Sequence, residues 1–293
     1  MNNRNGILLV IASMAGFTLE DMFIKQLSTT ITTGQILITL GACGALIFAT
    51  MAHLKGHSVF APHVWTRATV ARASTEAVAA IAFLTSLSLV PISTVAAVFQ
   101  ATPLAITMGA ALFLGETVGW RRWTAILVGF MGVLLIIRPG YSGFDPAIIF
   151  VLIAVICVAA RDLITRLVAD NVPSTIISFQ GFASVFFAGS ILLLVRGDSL
   201  VSVTTLEASY LAGAVVFGVA GYYAIVAAMR IGDASAITPF RYTRLLFSLI
   251  VGMVVFSERP DAPTLIGASI IIGTGLYMFL REHRIAQADE IRV

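Results

Sequence analysis

Residues 112–120 read LFLGETVGW and residues 254–262 read VVFSERPDA. Both stretches are short turns between long apolar segments. Each places a glutamate at the same point of its turn, Glu116 in one and Glu258 in the other, 142 residues apart. Working outward, LEDMFIKQL at 19–27 aligns with ARDLITRLV at 160–168, pairing Asp21 with Asp162 and Lys25 with Arg166 at a spacing of 141. Gly132 pairs with Gly275, and Arg138 with Arg281, at a spacing of 143. Spacing this constant along the chain marks an internal duplication.

A helix needs about 20 apolar residues to cross a hydrocarbon core of roughly 30 Å. Ten stretches qualify: 6–26, 33–53, 64–89, 92–115, 121–138, 144–168, 174–196, 208–231, 235–257 and 262–281. Turn-forming residues (Pro62, Pro91, Pro139, Gly140, Pro173, Asp198, Gly232, Asp233 and Pro260) occupy the short connections, so consecutive helices run antiparallel. Each repeat then holds five helices, and an odd number inverts the second repeat relative to the first. The expected fold is an all-α membrane protein of ten transmembrane helices in two inverted repeats, 1–140 and 141–293. Inverted repeats are the architecture of many secondary transporters, whose solute site lies near the midplane where the repeats meet.

Composition supports the membrane. Hydrophobic residues make up 58% of the 293 positions and charged residues 11%, with a mean hydropathy of +0.97. A soluble domain carries about 25% charged residues, so lipid must solvate most of this surface. The net charge of +3 is no nucleic-acid signature, because the basic residues cluster at the ends of apolar segments. Counted by helix ends, ten basic residues (Arg4, Lys55, Arg67, Arg121, Arg122, Arg166, Arg230, Arg281, Arg284, Arg292) fall on the side of the termini. Four (Lys25, Arg138, Arg196, Arg259) fall on the other, which predicts cytoplasmic N- and C-termini. Trp65, Trp120 and Trp123 then mark the inner interface, and Tyr141 and Tyr210 the outer one.

Other classes find no support in the motifs. Cys43 and Cys157 lie within apolar segments, so no disulfide is expected, and the first apolar stretch ends without a small-residue cleavage site. No Gly-x4-Gly-Lys-Ser/Thr loop is present, which excludes ATP as the driver, and no His-Glu-x-x-His supports an intramembrane enzyme. His53 and His57 stand i, i+4 with His63 nearby, but no cysteine or carboxylate accompanies them, so they read as a solvated loop and no metal or cofactor is expected. A channel would need a continuous polar stripe, where the sequence offers isolated polar positions.

The stretch PLAITMGAALFLGETVGWRRWTAILVGFMGVLLIIRPG (103–140), with a proline in helix 4, a Gly-Glu turn and a glycine-rich helix 5, resembles the end of an EamA unit of the drug/metabolite transporter superfamily. PFRYTRLLFSLIVGMVVFSERPDAPTLIGASIIIGTGLYMFLRE (239–282) resembles the same unit again, with Ser257 where the first turn has Gly115. The resemblance spans the whole chain. It implies a multi-pass carrier of the bacterial inner membrane, working as a monomer, with a cavity lined mainly by helices 1, 3, 4, 6, 8 and 9. Within the family the chain is most similar to exporters of aromatic amino acids, while riboflavin and S-adenosylmethionine carriers share the motifs.

Ionisable groups inside spans face a cavity or a partner by default. Arg72 and Glu76 stand i, i+4 on helix 3, and Glu76 lies roughly 18 Å into the span, near the midplane. They read either as ligands for a substrate carboxylate and ammonium, with Glu76 also a proton carrier, or as an internal ion pair. Arg241, Tyr242 and Arg244 follow Pro239 on helix 9, the two arginines sharing a face roughly 9 and 14 Å deep. They read as partners for an anionic solute group or for Glu76 or Asp162. Tyr242 pairs through the repeat with Gln100, three residues before Pro103, which suits a hydrogen bond to a solute or a neighbouring helix. Glu20 and Asp21 on helix 1, and Arg161 and Asp162 on helix 6, form candidate ion-pair gates in repeat-related places. Phe17, Phe83, Phe99, Tyr222 and Tyr223 are candidates for stacking on an aromatic solute. Gly41 with Gly44, Ala125 with Gly129, and Ser269 with Gly273 read as close-packing positions.

Overall fold

The computed structural model describes residues 3–115, 119–139, 145–169, 171–231 and 238–290. Glu116, Gly140, Tyr141, Gly232, Asp233 and Arg292 lie outside them. Eleven α-helices are described: α1 Asn3–Leu27, α2 Thr33–Leu54, α3 Arg67–Leu89, α4 Ile92–Phe99, α5 Thr102–Phe113 and α6 Trp120–Ile137. They continue with α7 Ile148–Thr165, α8 Ser174–Arg196, α9 Thr205–Ile231, α10 Thr243–Val255 and α11 Ala262–Glu290. Two 3₁₀ turns, Pro62–Val64 and Thr238–Tyr242, precede α3 and α10. Among the described residues nine spans are long and apolar enough to cross a membrane, with α4 and α5 counted as one segment, Ile92–Phe113.

Two of the expected spans are not continuous helices. The stretch expected at 92–115 breaks at Gln100 and Ala101, because Pro103 has no N–H for the Phe99 carbonyl. The Thr102 hydroxyl donates to that carbonyl instead, at 2.6 Å. The stretch expected at 235–257 is described as the 3₁₀ turn Thr238–Tyr242 and the 13-residue α10. Pro239 explains the tight turn, since it cannot supply an N–H to a regular helical ladder.

Local signals set the other ends. Thr32 caps α2 by accepting the Gln35 N–H at 3.3 Å, and Thr66 and Thr69 exchange bonds in a reciprocal box that starts α3. Gly197, in the left-handed region at φ 67°, ends α8.

The helices form two compact units. One comprises Met1–Leu19, Pro91–Pro146 and Phe217–Val293; the other comprises Glu20–Val90 and Ala147–Val216. Each draws helices from both sequence repeats. In the first, α4 packs on α10 and α6 on α11; in the second, α2 packs on α8, and α3 on α7 and α8.

Small residues set the closest approaches, as dispersion packing in lipid requires. A Cβ built on Gly189 of α8 would lie 2.7 Å from the Gly34 carbonyl oxygen of α2, and Gly41 and Gly44 abut Phe186 and Phe182. On α6 and α11 the approach is reciprocal: a Gly132 Cβ would lie 2.9 Å from the Gly267 oxygen, and a Gly267 Cβ 2.6 Å from the Gly132 oxygen. Gly129 is likewise tight against Leu104 and Thr274. Gly273 corrects the expectation made for it. A Cβ there would meet nothing within 4 Å, and the Ser269 hydroxyl turns back to the Leu265 carbonyl of its own helix.

Candidate functional site

Within the second unit, four of the expected residues converge. Arg161 of α7 donates to Glu76 Oε1 of α3 at 2.9 Å, and grips Asp162 Oδ1 through Nε at 2.9 Å and through a terminal nitrogen at 2.8 Å. Arg72 lies 3.5 Å from Glu76 Oε2 and donates through Nε to the Thr165 hydroxyl at 3.0 Å. Both Glu76 oxygens therefore face a guanidinium, and two cations balance two anions in a partly buried knot. Gly181 of α8 lies alongside it, and a Cβ there would make ordinary van der Waals contact, 3.5 Å from Arg72 and 3.7 Å from Glu76. The i, i+4 pair of α3 is present as read; its link to Arg161 and Thr165 of α7 needed the tertiary fold.

Asp21 is buried and Glu20 half-buried on α1. Lys25, one turn on, donates to the Leu87 and Val90 carbonyls at 3.0 and 2.7 Å. It thus satisfies acceptors at the C-terminal end of α3, where helix carbonyls lack intrahelical partners and favour a cation. Phe83 is half-buried on α3.

The first unit holds a second group. The Arg244 guanidinium of α10 stands over two rings, 5.4 Å from the centroid of Phe17 on α1 and 5.5 Å from that of Phe99 at the end of α4. A cation over an aromatic face gains about 0.5–2 kcal/mol, depending on desolvation. Gln100 is buried immediately after Phe99. Tyr242 is half-buried, its hydroxyl pressed against Gly275 of α11. Tyr222 of α9 is half-buried and Tyr223 is 62% exposed. Arg241 lies in the 3₁₀ turn and is exposed, and Arg244 is half-buried, so the two arginines expected to be buried together on one face are not.

Gln100 closes α4, and Tyr242 closes the 3₁₀ turn ahead of α10. They are the positions that the repeat pairs, so the two helical interruptions occupy equivalent places in the two halves. Interrupted helices at corresponding positions are the best structural pointer to a solute site in inverted-repeat carriers, because they free backbone polar groups inside the membrane.

Glu258 was read only as a repeat marker, and its function in the fold was not legible. It lies beyond the end of α10, and its carboxylate accepts the Ile92 N–H at 2.7 Å, the Ser93 N–H at 3.0 Å and the Ser93 hydroxyl at 2.6 Å. It thereby caps the N-terminus of α4, where Pro91 offers no side-chain acceptor. Ser257 reaches this position with φ 53°, the conformation Gly115 adopts at φ 68° in the first repeat. Three residues on, Asp261 pairs with Arg138 at the end of α6 and accepts the Thr264 N–H at 3.1 Å. Partial burial disfavours the Asp261 charge, but the hydrogen bonds from Arg138 and Thr264 outweigh it and hold the carboxyl below the ordinary aspartate range.

Repeated apolar helices with paired interruptions define a multi-pass membrane transporter. Comparison with known proteins makes the class specific. The model of the EamA-like transporter family matches twice, over residues 4–138 and 145–281, and the chain belongs to that family. It is 30% identical over 201 residues to an S-adenosylmethionine uptake transporter of Rickettsia conorii, covering 68% of this chain and 66% of the relative. It is 30% identical over 204 residues to a riboflavin transporter of Rhizobium johnstonii, covering 69% and 67%, respectively. It is 24% identical over 274 residues to the pseudopaline exporter of Pseudomonas aeruginosa, covering 92% and 94%. The chain thus spans about two thirds of the length of the first two relatives. A solved crystal structure with 16% identity aligns over 94% of this chain and 98% of its own at a TM-score of 0.64, a likeness of fold.

Proposed function

We propose that the protein is a secondary transporter of the bacterial inner membrane that carries an amphipathic metabolite bearing a flat ring and a carboxylate, with S-adenosylmethionine as the leading substrate. The observation that supports this reading is Arg244 over Phe17 and Phe99, beside the interruptions at Gln100 and Tyr242. A guanidinium matches a carboxylate with two parallel hydrogen bonds, and phenylalanine rings offer faces on which a base stacks. S-adenosylmethionine presents both groups, and the Rickettsia relative supports it over the aromatic amino acids expected from the sequence. Riboflavin is the second reading, favoured by the Rhizobium relative; it offers a ring without a carboxylate.

Transport proceeds by alternating access around a site where the two repeats meet, with both termini cytoplasmic and the monomer as the working unit. Neither ATP nor nucleic acid takes part. The knot of Arg72, Glu76, Arg161 and Asp162 acts as an internal tie of α3 to α7 rather than as the proton carrier, because both Glu76 oxygens are occupied by arginines. Phe83, Tyr222 and Tyr223 are secondary candidates for contact with the solute, and Glu20 and Asp21 for gating.

The test is uptake of labelled S-adenosylmethionine into proteoliposomes, with riboflavin and aromatic amino acids as competitors. Saturable uptake that self-competes, and that falls at least tenfold in Arg244→Ala, is expected. Uptake of riboflavin alone selects the second reading. Uptake of labelled phenylalanine or tryptophan, with none of labelled S-adenosylmethionine, returns the substrate to the amino acids.

A further inference from the structure

The flank of α6 and α11 holds a groove of about 330 Å³, apart from Arg244, Phe17 and Phe99. Ala125, Val128, Gly273 and Tyr277 line it, and Trp120 and Arg121, at the first turn of α6, form its mouth. Gly273 explains why the space exists. The same two helices touch tightly at Gly132 and Gly267, yet a Cβ on Gly273 would meet nothing within 4 Å. A small residue here widens the surface instead of closing a helix contact. The Thr274 hydroxyl, which also lines the groove, is turned back onto the Ile270 carbonyl at 2.9 Å, so the interior is apolar.

The mouth has the opposite character. The Arg121 guanidinium stands 5.3 Å from the Trp120 ring at the first turn of α6, and Arg122 follows it. Tryptophan and tyrosine mark the interfacial depth of a membrane span, and basic residues there attract anionic headgroups. Charge at one end and an apolar trough along two membrane spans match one kind of occupant. We infer that this groove binds a single phospholipid with an anionic headgroup, its phosphate at Arg121 and one acyl chain laid over Gly273.

The test is native mass spectrometry of the full-length protein after incubation with phosphatidylglycerol or phosphatidylethanolamine of equal chain length. Wild type should retain one phosphatidylglycerol in severalfold preference. Arg121→Gln should bring that preference close to unity, and Gly273→Leu should lower retention of both lipids severalfold. An Arg121→Gln protein that keeps the wild-type preference overturns the inference. So does a wild-type protein that forms a dimer lost in Gly273→Leu while showing no lipid preference, since a second copy of the chain would then fill the groove. Should Gly273→Leu fail to fold, Arg121→Gln decides alone.

Discussion

Replacing Glu258 tests the turn that marks the repeat. Its carboxylate is the acceptor for two backbone N–H groups and one hydroxyl at the start of α4. Ile92 and Ser93 are each 1% exposed, so water does not replace a lost partner. A buried donor left unsatisfied costs about 1–3 kcal/mol, and a carboxylate at a helix N-terminus adds about 0.3–1 kcal/mol through the dipole. Relief of the carboxylate's own desolvation offsets part of that total. Glu258→Ala should therefore destabilise by about 3 kcal/mol, and Glu258→Gln by less than half as much, because the amide keeps one acceptor oxygen. Ser257→Gly should act in the opposite direction. A left-handed L-residue costs about 1–2 kcal/mol, against about 0.4–1 kcal/mol of extra unfolded-chain entropy for glycine. Thermal unfolding in detergent should rank the proteins Ser257→Gly, wild type, Glu258→Gln, Glu258→Ala from highest midpoint to lowest. A midpoint for Glu258→Ala indistinguishable from wild type would refute the capping argument.

Three further outcomes follow from the geometry. Glu76→Gln should lower the unfolding midpoint, since Arg161 and Arg72 lose their shared carboxylate, and should leave the pH-gradient dependence of uptake unchanged; loss of that dependence would restore Glu76 as a proton carrier. Arg244→Lys should retain less than a tenth of wild-type transport, because a point-charge ammonium cannot offer the planar fork, while the unfolding midpoint stays close to wild type. The Arg138–Asp261 pair should give a signed pH effect: the carboxyl is lowered on folding, so its contribution is complete above the unfolded aspartate value of about 3.9 and is lost as pH falls through the lower folded value. The midpoint difference between wild type and Asp261→Asn should therefore be present at pH 6 and shrink towards pH 3, and a difference constant across that range would count against the pair.

The membrane spans and the duplication were legible because the bilayer imposes a minimum apolar length and because paired charges recur at near-constant spacing. Gly41, Gly44 and Gly129 were legible as packing positions for a similar reason: lipid leaves close approach as the main source of helix association. Gly273 was not, since the same residue type also makes a groove, and only the neighbouring helix decides which. The Arg72–Glu76 pair was visible at i, i+4, but its partners Arg161 and Thr165 lie 85 and 93 residues away from Glu76 and Arg72 and had no local signal. Glu258 stood in plain view as a repeat marker, yet its bonds reach back 166 residues to Ile92. The span at 92–115 reads as continuous in sequence despite Pro103; the break at Gln100 and Ala101 accompanies the Thr102 hydroxyl taking the Phe99 carbonyl.

The duplication preserves backbone events more closely than side chains. Gly115 and Ser257 differ in chemistry but share a left-handed turn at φ 68° and 53°. Gln100 and Tyr242 differ as well, yet each stands where a helical segment ends and another begins. An inverted pair of repeats needs the same places to bend and to stop, since both halves must leave polar backbone free at the same depth. On the proposed reading, in which one solute presents a different group to each repeat, side chains at those places are released to differ. That asymmetry locates specificity in the substitutions between halves: Arg244 of the second repeat pairs through the spacing with Thr102 of the first, which supplies a hydroxyl to close the break and no charge. Thr102→Arg would place a second cation at the interruption. It should abolish uptake of a sulfonium-bearing solute such as S-adenosylmethionine more strongly than uptake of neutral riboflavin, and equal losses for the two would argue that this position does not face the solute.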